Sequence, residues 1–83
     1  LVNRVVPHDR LMEEAIILAE KIASKPPLAI RMMKRAVYQA QTSTLRAHLD
    51  YISSQLGLLS ETQDHQEAAR SFLEKRKPTF LGK

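Results

Sequence analysis

Apolar positions recur every three or four residues along most of this chain, and polar breaks cut the rhythm into segments. Leu11, Ala15, Leu18, Ala19 and Ile22 fall on one helical line, with Glu13, Glu14, Glu20 and Lys21 mostly off it. Early glutamates and a later lysine match the helix dipole. Asp9, after His8, is the expected N-cap. Pro26 disfavours helical geometry in the residue before it, so this helix should end near Ser24-Lys25. Pro27 suits the first turn of a second helix. Its apolar face is Ala29, Met32, Met33, Ala36, Val37 and Ala40, with Arg31, Lys34 and Arg35 on the other side. The small alanines permit close approach of another helix, and methionine fills irregular core space. Gln41 to Thr44 is a polar break in which Ser43 or Thr44 can cap. Leu45, Leu49, Ile52, Leu56 and Leu59 then repeat at alternating steps of four and three, close to a coiled-coil seam. Gly57 weakens this helix near its end.

Asp64-x-x-Glu67 reads as a capping pair that opens the last helix, with Asp64 in place of the usual Ser or Thr. Ala68, Ala69, Phe72 and Leu73 are its expected buried face. Pro78 lies past its end, and the tail Thr79-Phe80-Leu81-Gly82 is expected to lie over another surface. At the other terminus Leu1 to Val6 is β-branched and Pro7 ends it, which reads as an exit strand without its sheet. The predicted fold class is therefore all-α. It comprises a strand remnant at 1–7 and a small bundle of about four helices over 8–83. No repeat or low-complexity segment interrupts it.

At 83 residues the chain is at most one small domain with a modest core, so partner surface should contribute to its stability. It opens on Leu1 in what reads as the middle of a strand, as a fragment of a longer protein would. It has no cysteine, which excludes a disulfide framework and a thiolate metal site. No apolar run approaches a membrane span, and no membrane partner is expected. The formal net charge of +4 is a mild pull toward anions, but charge alone favours an ordinary soluble surface with an excess of lysine.

Chemistry is sparse. His8, His48 and His65 are scattered without a second ligand at metal spacing, so no metal site is expected and the histidines read as solvated or capping. The serines lack a nucleophile elbow. The carboxylates of Glu13-Glu14 and Glu61 to Glu67 are expected on exposed helix faces, where little shifts a pKa. Two glycines cannot build a phosphate-cradling loop. No catalytic residue and no cofactor are therefore expected in this chain. The remaining signal is Phe72 one turn ahead of Lys75-Arg76-Lys77, a pairing able to stack an adenine and hold phosphates. Phe72 as a core knob, with three cations matching the helix dipole, explains the same residues.

Four landmarks in order resemble the crotonase (enoyl-CoA hydratase) superfamily. Leu1-Val2-Asn3-Arg4-Val5-Val6-Pro7 is similar to the segment leaving the core domain. Leu18 to Ala29 resembles the helix ending in a double proline, and Lys34 stands where the family usually has a lysine. Thr62, Asp64 and Glu67 match a Ser/Thr-x-Asp-x-x-Glu pattern, which Phe72-Leu73-Glu74-Lys75-Arg76-Lys77-Pro78 completes. Ala68 departs from the glycine often found there, and Tyr38 to Ser60 carries no signature beyond its leucines. The resemblance implies the helical C-terminal trimerisation region of an enoyl-CoA hydratase/isomerase family enzyme, a homo-trimer or hexamer. Hydration of trans-2-enoyl-CoA is the reaction it favours, with the acyl-CoA thioester as substrate. The oxyanion hole and acid/base carboxylates would lie in the enzyme's own catalytic core domain, leaving this chain alone inactive. By motif position, Phe72 would meet adenine and Lys75 the nucleotide phosphates in a neighbouring subunit. A bacterial member would be cytoplasmic.

Two other readings compete. A stand-alone helical interaction module would dock a partner through the leucine stripe. A basic nucleic-acid-binding domain would use Arg31, Lys34, Arg35 and Lys75 to Lys77, but interspersed glutamates and the lack of a reading helix weigh against a nucleic-acid partner.

Overall fold

The computed structural model describes Leu1–Lys83 throughout and is all-helical. A 3-10 turn at His8–Arg10 runs into α1 (Leu11–Ala23), followed by α2 (Pro27–Ala40), α3 (Leu45–Ser60) and α4 (Gln63–Leu73). Leu1 to Pro7 forms no strand. A strand needs a neighbouring ladder for its N–H and C=O groups, and this chain supplies none. The segment is tied down instead by Arg4, whose Nη1 stands 2.7 Å from Glu14 Oε2.

Several helix boundaries follow from local chemistry. Pro27 occupies the first turn of α2 after Pro26 in an extended conformation. Thr44 caps α3, its hydroxyl accepting from the Ala47 N–H at 3.3 Å. α1 needs no Asp9 cap. The 3-10 turn leads straight into it, with Arg10 N–H bonded to Pro7 O at 3.0 Å and Leu11 N–H to His8 O. Backbone carbonyls take the donors that a side chain would otherwise satisfy. Asp64 is not the cap of α4 either. Thr62 is, accepting the His65 N–H at 3.2 Å while donating to Leu59 O at 2.6 Å.

α2 and α3 form the closest-packed pair, α3 meets α4, and α1 packs mainly on the 3-10 turn before it. Ala36 is the only buried apolar residue. Beside it Met32 faces Ile52, Gln55 and Leu59 along a half-buried seam. The rest of the expected core is open. Leu11, Leu18 and Ile22 of α1 are exposed, as are Met33 and Val37 of α2 and Leu45, Leu49 and Leu56 of α3. Ile16 and Ile17 are exposed as well, so α1 is apolar around most of its circumference. Such a helix belongs between two covering surfaces. The Cα radius of gyration is 16.2 Å, against about 12 Å for a compact domain of this length.

Candidate functional site: the end of α4 and its returning tail

α4 ends in a Schellman motif. Arg76 N–H donates to Ser71 O at 3.0 Å and Lys75 N–H to Phe72 O at 3.3 Å. This closure requires a left-handed residue, usually glycine, and Lys75 fills the position with φ of +53°. Lys75 thus lies outside the helix. It does not share a helix face with Phe72 through three-residue spacing. The terminal turn links the two through the backbone bond from Lys75 N–H to Phe72 O.

Phe72 and Leu73 are about four-fifths exposed, contrary to their expected place on a buried face. The side of α4 that turns inward carries Asp64, Glu67, Ala68 and Ser71. Its two large apolar residues are thus exposed along with Gln63, His65, Gln66, Ala69 and Arg70, and its inward positions are largely polar.

The inward carboxylates hold the tail. Asp64 is 2% exposed. Its Oδ1 accepts from Leu81 N–H at 2.7 Å and its Oδ2 from Gly82 N–H at 2.9 Å. Its own N–H donates to Lys83 O at 3.0 Å. A buried carboxylate is costly unless such partners surround it, and the N-terminal end of α4 adds a favourable dipole. Gly82 has φ of +76°, which lets the chain turn so that two successive N–H groups reach one carboxylate. The tail therefore folds back on its own helix, and Gly82 lies next to Pro27 at the start of α2.

Glu67, one turn further along, grips the chain nearer the turn. Its two oxygens take Arg76 Nη1 at 2.6 Å and Nη2 at 2.9 Å, and Oε1 also accepts Thr79 N–H at 3.0 Å. The hydrogen-bonded Arg76 guanidinium, then the Thr79 N–H, hold the Glu67 carboxyl down at about 2. Arg76 Nε pairs in addition with Glu74. The three-cation cluster is thus divided: Arg76 is committed to two carboxylates, while Lys75 and Lys77 form no ion pair.

The capping-pair expectation for Asp64 and Glu67 fails, since both carboxylates hold the tail instead. Thr62, a better N-cap two residues ahead of Asp64, was the available signal. His48 also departs from expectation. It is half-buried between α2 and α3 with its Nδ1 unpaired, 6.3 Å ring to ring from Tyr51. His8 and His65 are exposed. No group of three or more His, Cys, Asp or Glu side chains gathers at one point. No helix is long and apolar enough to cross a membrane. Arg31, Lys34 and Arg35 line an open cleft of about 720 Å³ with Tyr38 and Tyr51, and none forms an ion pair.

The family profile described as Enoyl-CoA hydratase/isomerase matches residues 1–83, and the chain belongs to that family. It is 40% identical over its whole length to 2,3-dehydroadipyl-CoA hydratase of Escherichia coli K12, of which it covers 32%. It is 32% identical to 1,2-epoxyphenylacetyl-CoA isomerase of the same organism, again covering 32%. Among solved structures it superposes on enoyl-CoA hydratase from Bacillus anthracis with a TM-score of 0.90 and 37% identity, over 95% of this chain and 31% of that one. The enoyl-CoA hydratase from Mycobacterium tuberculosis H37Rv gives a TM-score of 0.91 and 28% identity, over 99% and 32%. The chain spans about a third of the length of the curated relatives it matches. Both a hydratase and an isomerase are thus similar to it.

Proposed function

We propose that this chain is the C-terminal oligomerisation and CoA-contacting part of an enoyl-CoA hydratase/isomerase family enzyme acting on acyl-CoA thioesters. Hydration of trans-2-enoyl-CoA is the favoured reaction. The observation that carries the reading is the exposed Phe72 and the unpaired Lys75 on one tight turn at the end of α4, joined by the Lys75 N–H bond to Phe72 O. An aromatic face next to a free ammonium suits a base linked to phosphates. Phe72 would stack on adenine and Lys75 would sit near the nucleotide phosphates, with the thioester end reaching a neighbouring subunit's active site.

The chain itself contributes binding and assembly. It gathers no nucleophile, base and oxyanion donors at one point, so the chemistry is assigned to the enzyme's own catalytic core domain and the isolated chain is expected to be inactive. The exposed faces of α1, α2 and α3 would bury against that core and against neighbouring subunits in a trimer or hexamer. An apolar groove of about 470 Å³ lined by Met33, Val37, Ile52, Leu56 and Leu59 supports this assignment.

Phe72→Ala and Lys75→Ala in the full-length enzyme test the contact. Each should raise KM for the acyl-CoA more than it lowers kcat, because the lost interaction is with the carrier and not with the reacting atoms. Unchanged KM in both variants would return Phe72 to a packing role.

A further inference from the structure

Lys75 occupies a backbone conformation that glycine adopts freely and a side chain adopts at some cost. Strain of this kind persists only where the surroundings over-determine it. At the end of α4 they do. The turn is closed behind Lys75 by the Schellman bonds to Ser71 and Phe72 carbonyls. Ser71, beneath the turn, is 3% exposed and donates to Ala68 O at 3.0 Å. Ahead of Lys75, the Arg76 guanidinium is fastened in parallel to both oxygens of Glu67, nine residues earlier. Arg76 Nη1 also donates to Lys77 O at 3.2 Å, and Nε is held by Glu74. The residues on either side of Lys75 are therefore linked to each other and to the body of the helix. Lys75 and Lys77 both leave their charges unspent, and of the two Lys75 stands at the left-handed position of the turn itself.

We propose that Glu67 and Arg76 are positioning residues for the nucleotide of the acyl-CoA carrier: their two-pronged ion pair locks the left-handed turn, fixing the Lys75 amine relative to the Phe72 ring. The inference rests on the reading of Phe72 and Lys75 as the CoA contact, and it adds a division of labour among the cations. Arg76 holds its neighbour in place and gives its charge to Glu67 and Glu74. Lys75 supplies the charge that the nucleotide phosphates meet. Holding the turn in one shape before the ligand arrives lowers the ordering cost of binding. The bidentate fork is something a lysine at position 76 could not reproduce.

The test compares two substrates on the full-length enzyme: an enoyl thioester of CoA, and the same acyl group on pantetheine, which lacks the nucleotide. Glu67→Gln removes the acceptor charge. Arg76→Lys, at an exposed turn, keeps the charge and loses the fork, so it remains informative if the first variant folds poorly. Each should raise KM for the CoA thioester by about three- to ten-fold with kcat held, and leave KM for the pantetheine thioester where it was. Equal rises for both thioesters would make the pair merely structural and overturn the proposal. Unchanged KM for both, with Lys75→Ala still raising KM for the CoA thioester, would sink the positioning role and leave the contact standing. If Phe72→Ala and Lys75→Ala also leave KM for the CoA thioester unchanged, the contact itself falls and the positioning role with it.

Discussion

The plate formed by α1, α2 and α3 and the strapped end formed by α4 and its tail are held together in opposite ways. The plate is rich in leucine, isoleucine and methionine yet buries one apolar residue, Ala36. The strapped end buries Asp64 and Ser71 and leaves Phe72 and Leu73 in solvent. Hydrophobic burial is nondirectional and needs area, which the plate lacks without a partner. Hydrogen bonds to a carboxylate are directional and need only a few atoms, and the tail finds them within twenty residues of its own helix. The plate is thus an unfinished core that depends on partner surface, whereas the strapped end completes itself. A part that completes itself can present Phe72 and Lys75 in a defined geometry whatever covers the rest.

The largest expected contrast comes from placing a charge on α1. Leu18→Asp should change the stability of the isolated chain by no more than about 0.5 kcal/mol, since the residue is exposed there. In the full-length enzyme the same change should cost about 3 kcal/mol or more and weaken assembly, because α1 would be covered on several sides. Thermal unfolding and sedimentation of both forms check this.

Within the strapped end, Asp64→Ala leaves the Leu81 and Gly82 N–H groups without their acceptor. It should cost about 1–3 kcal/mol and release the tail, read by faster amide exchange at those two residues. Lys75→Gly should act in the opposite sense, relieving the left-handed backbone and raising stability by up to about 1 kcal/mol. The same variant should weaken acyl-CoA binding, so stability and affinity move apart.

The smallest effect is with pH. The Glu67 carboxyl is lowered to about 2 from an ordinary value near 4.5. A depressed carboxylate contributes stability that is fully present above the ordinary value and is lost as pH falls through the folded one. The protection of Thr79, whose N–H bonds Glu67, measured against the intrinsic exchange rate at each pH, should therefore stay high at pH 5 and fall progressively below pH 4.5 toward 2.

How much of this was legible in the sequence divides along the same line. Helix positions and the Pro26-Pro27 break follow from periodicity and local chemistry, and of the two candidate caps, Ser43 and Thr44, the structure uses Thr44. Periodicity also names the apolar faces, but it assumes that something covers them, and Leu11, Leu18 and Leu49 have no cover within this chain. Asp64-x-x-Glu67 has the spacing of a capping pair, and spacing cannot reveal that both carboxylates reach forward to residues 76–82. That pairing depends on the left-handed turn at Lys75, which no glycine announces. Leu1 to Pro7 carries strand-forming residues, and only a neighbouring strand would make them one.

The measurement that tests the central contrast most directly is amide hydrogen exchange on the isolated chain beside the full-length enzyme. The account predicts protected Leu81 and Gly82 amides in both forms, and α1 amides from Ala15 to Ile22 that are protected only in the full-length enzyme. Equal protection of α1 and the strapped end in the isolated chain would contradict it, since the plate would then hold itself together without a partner.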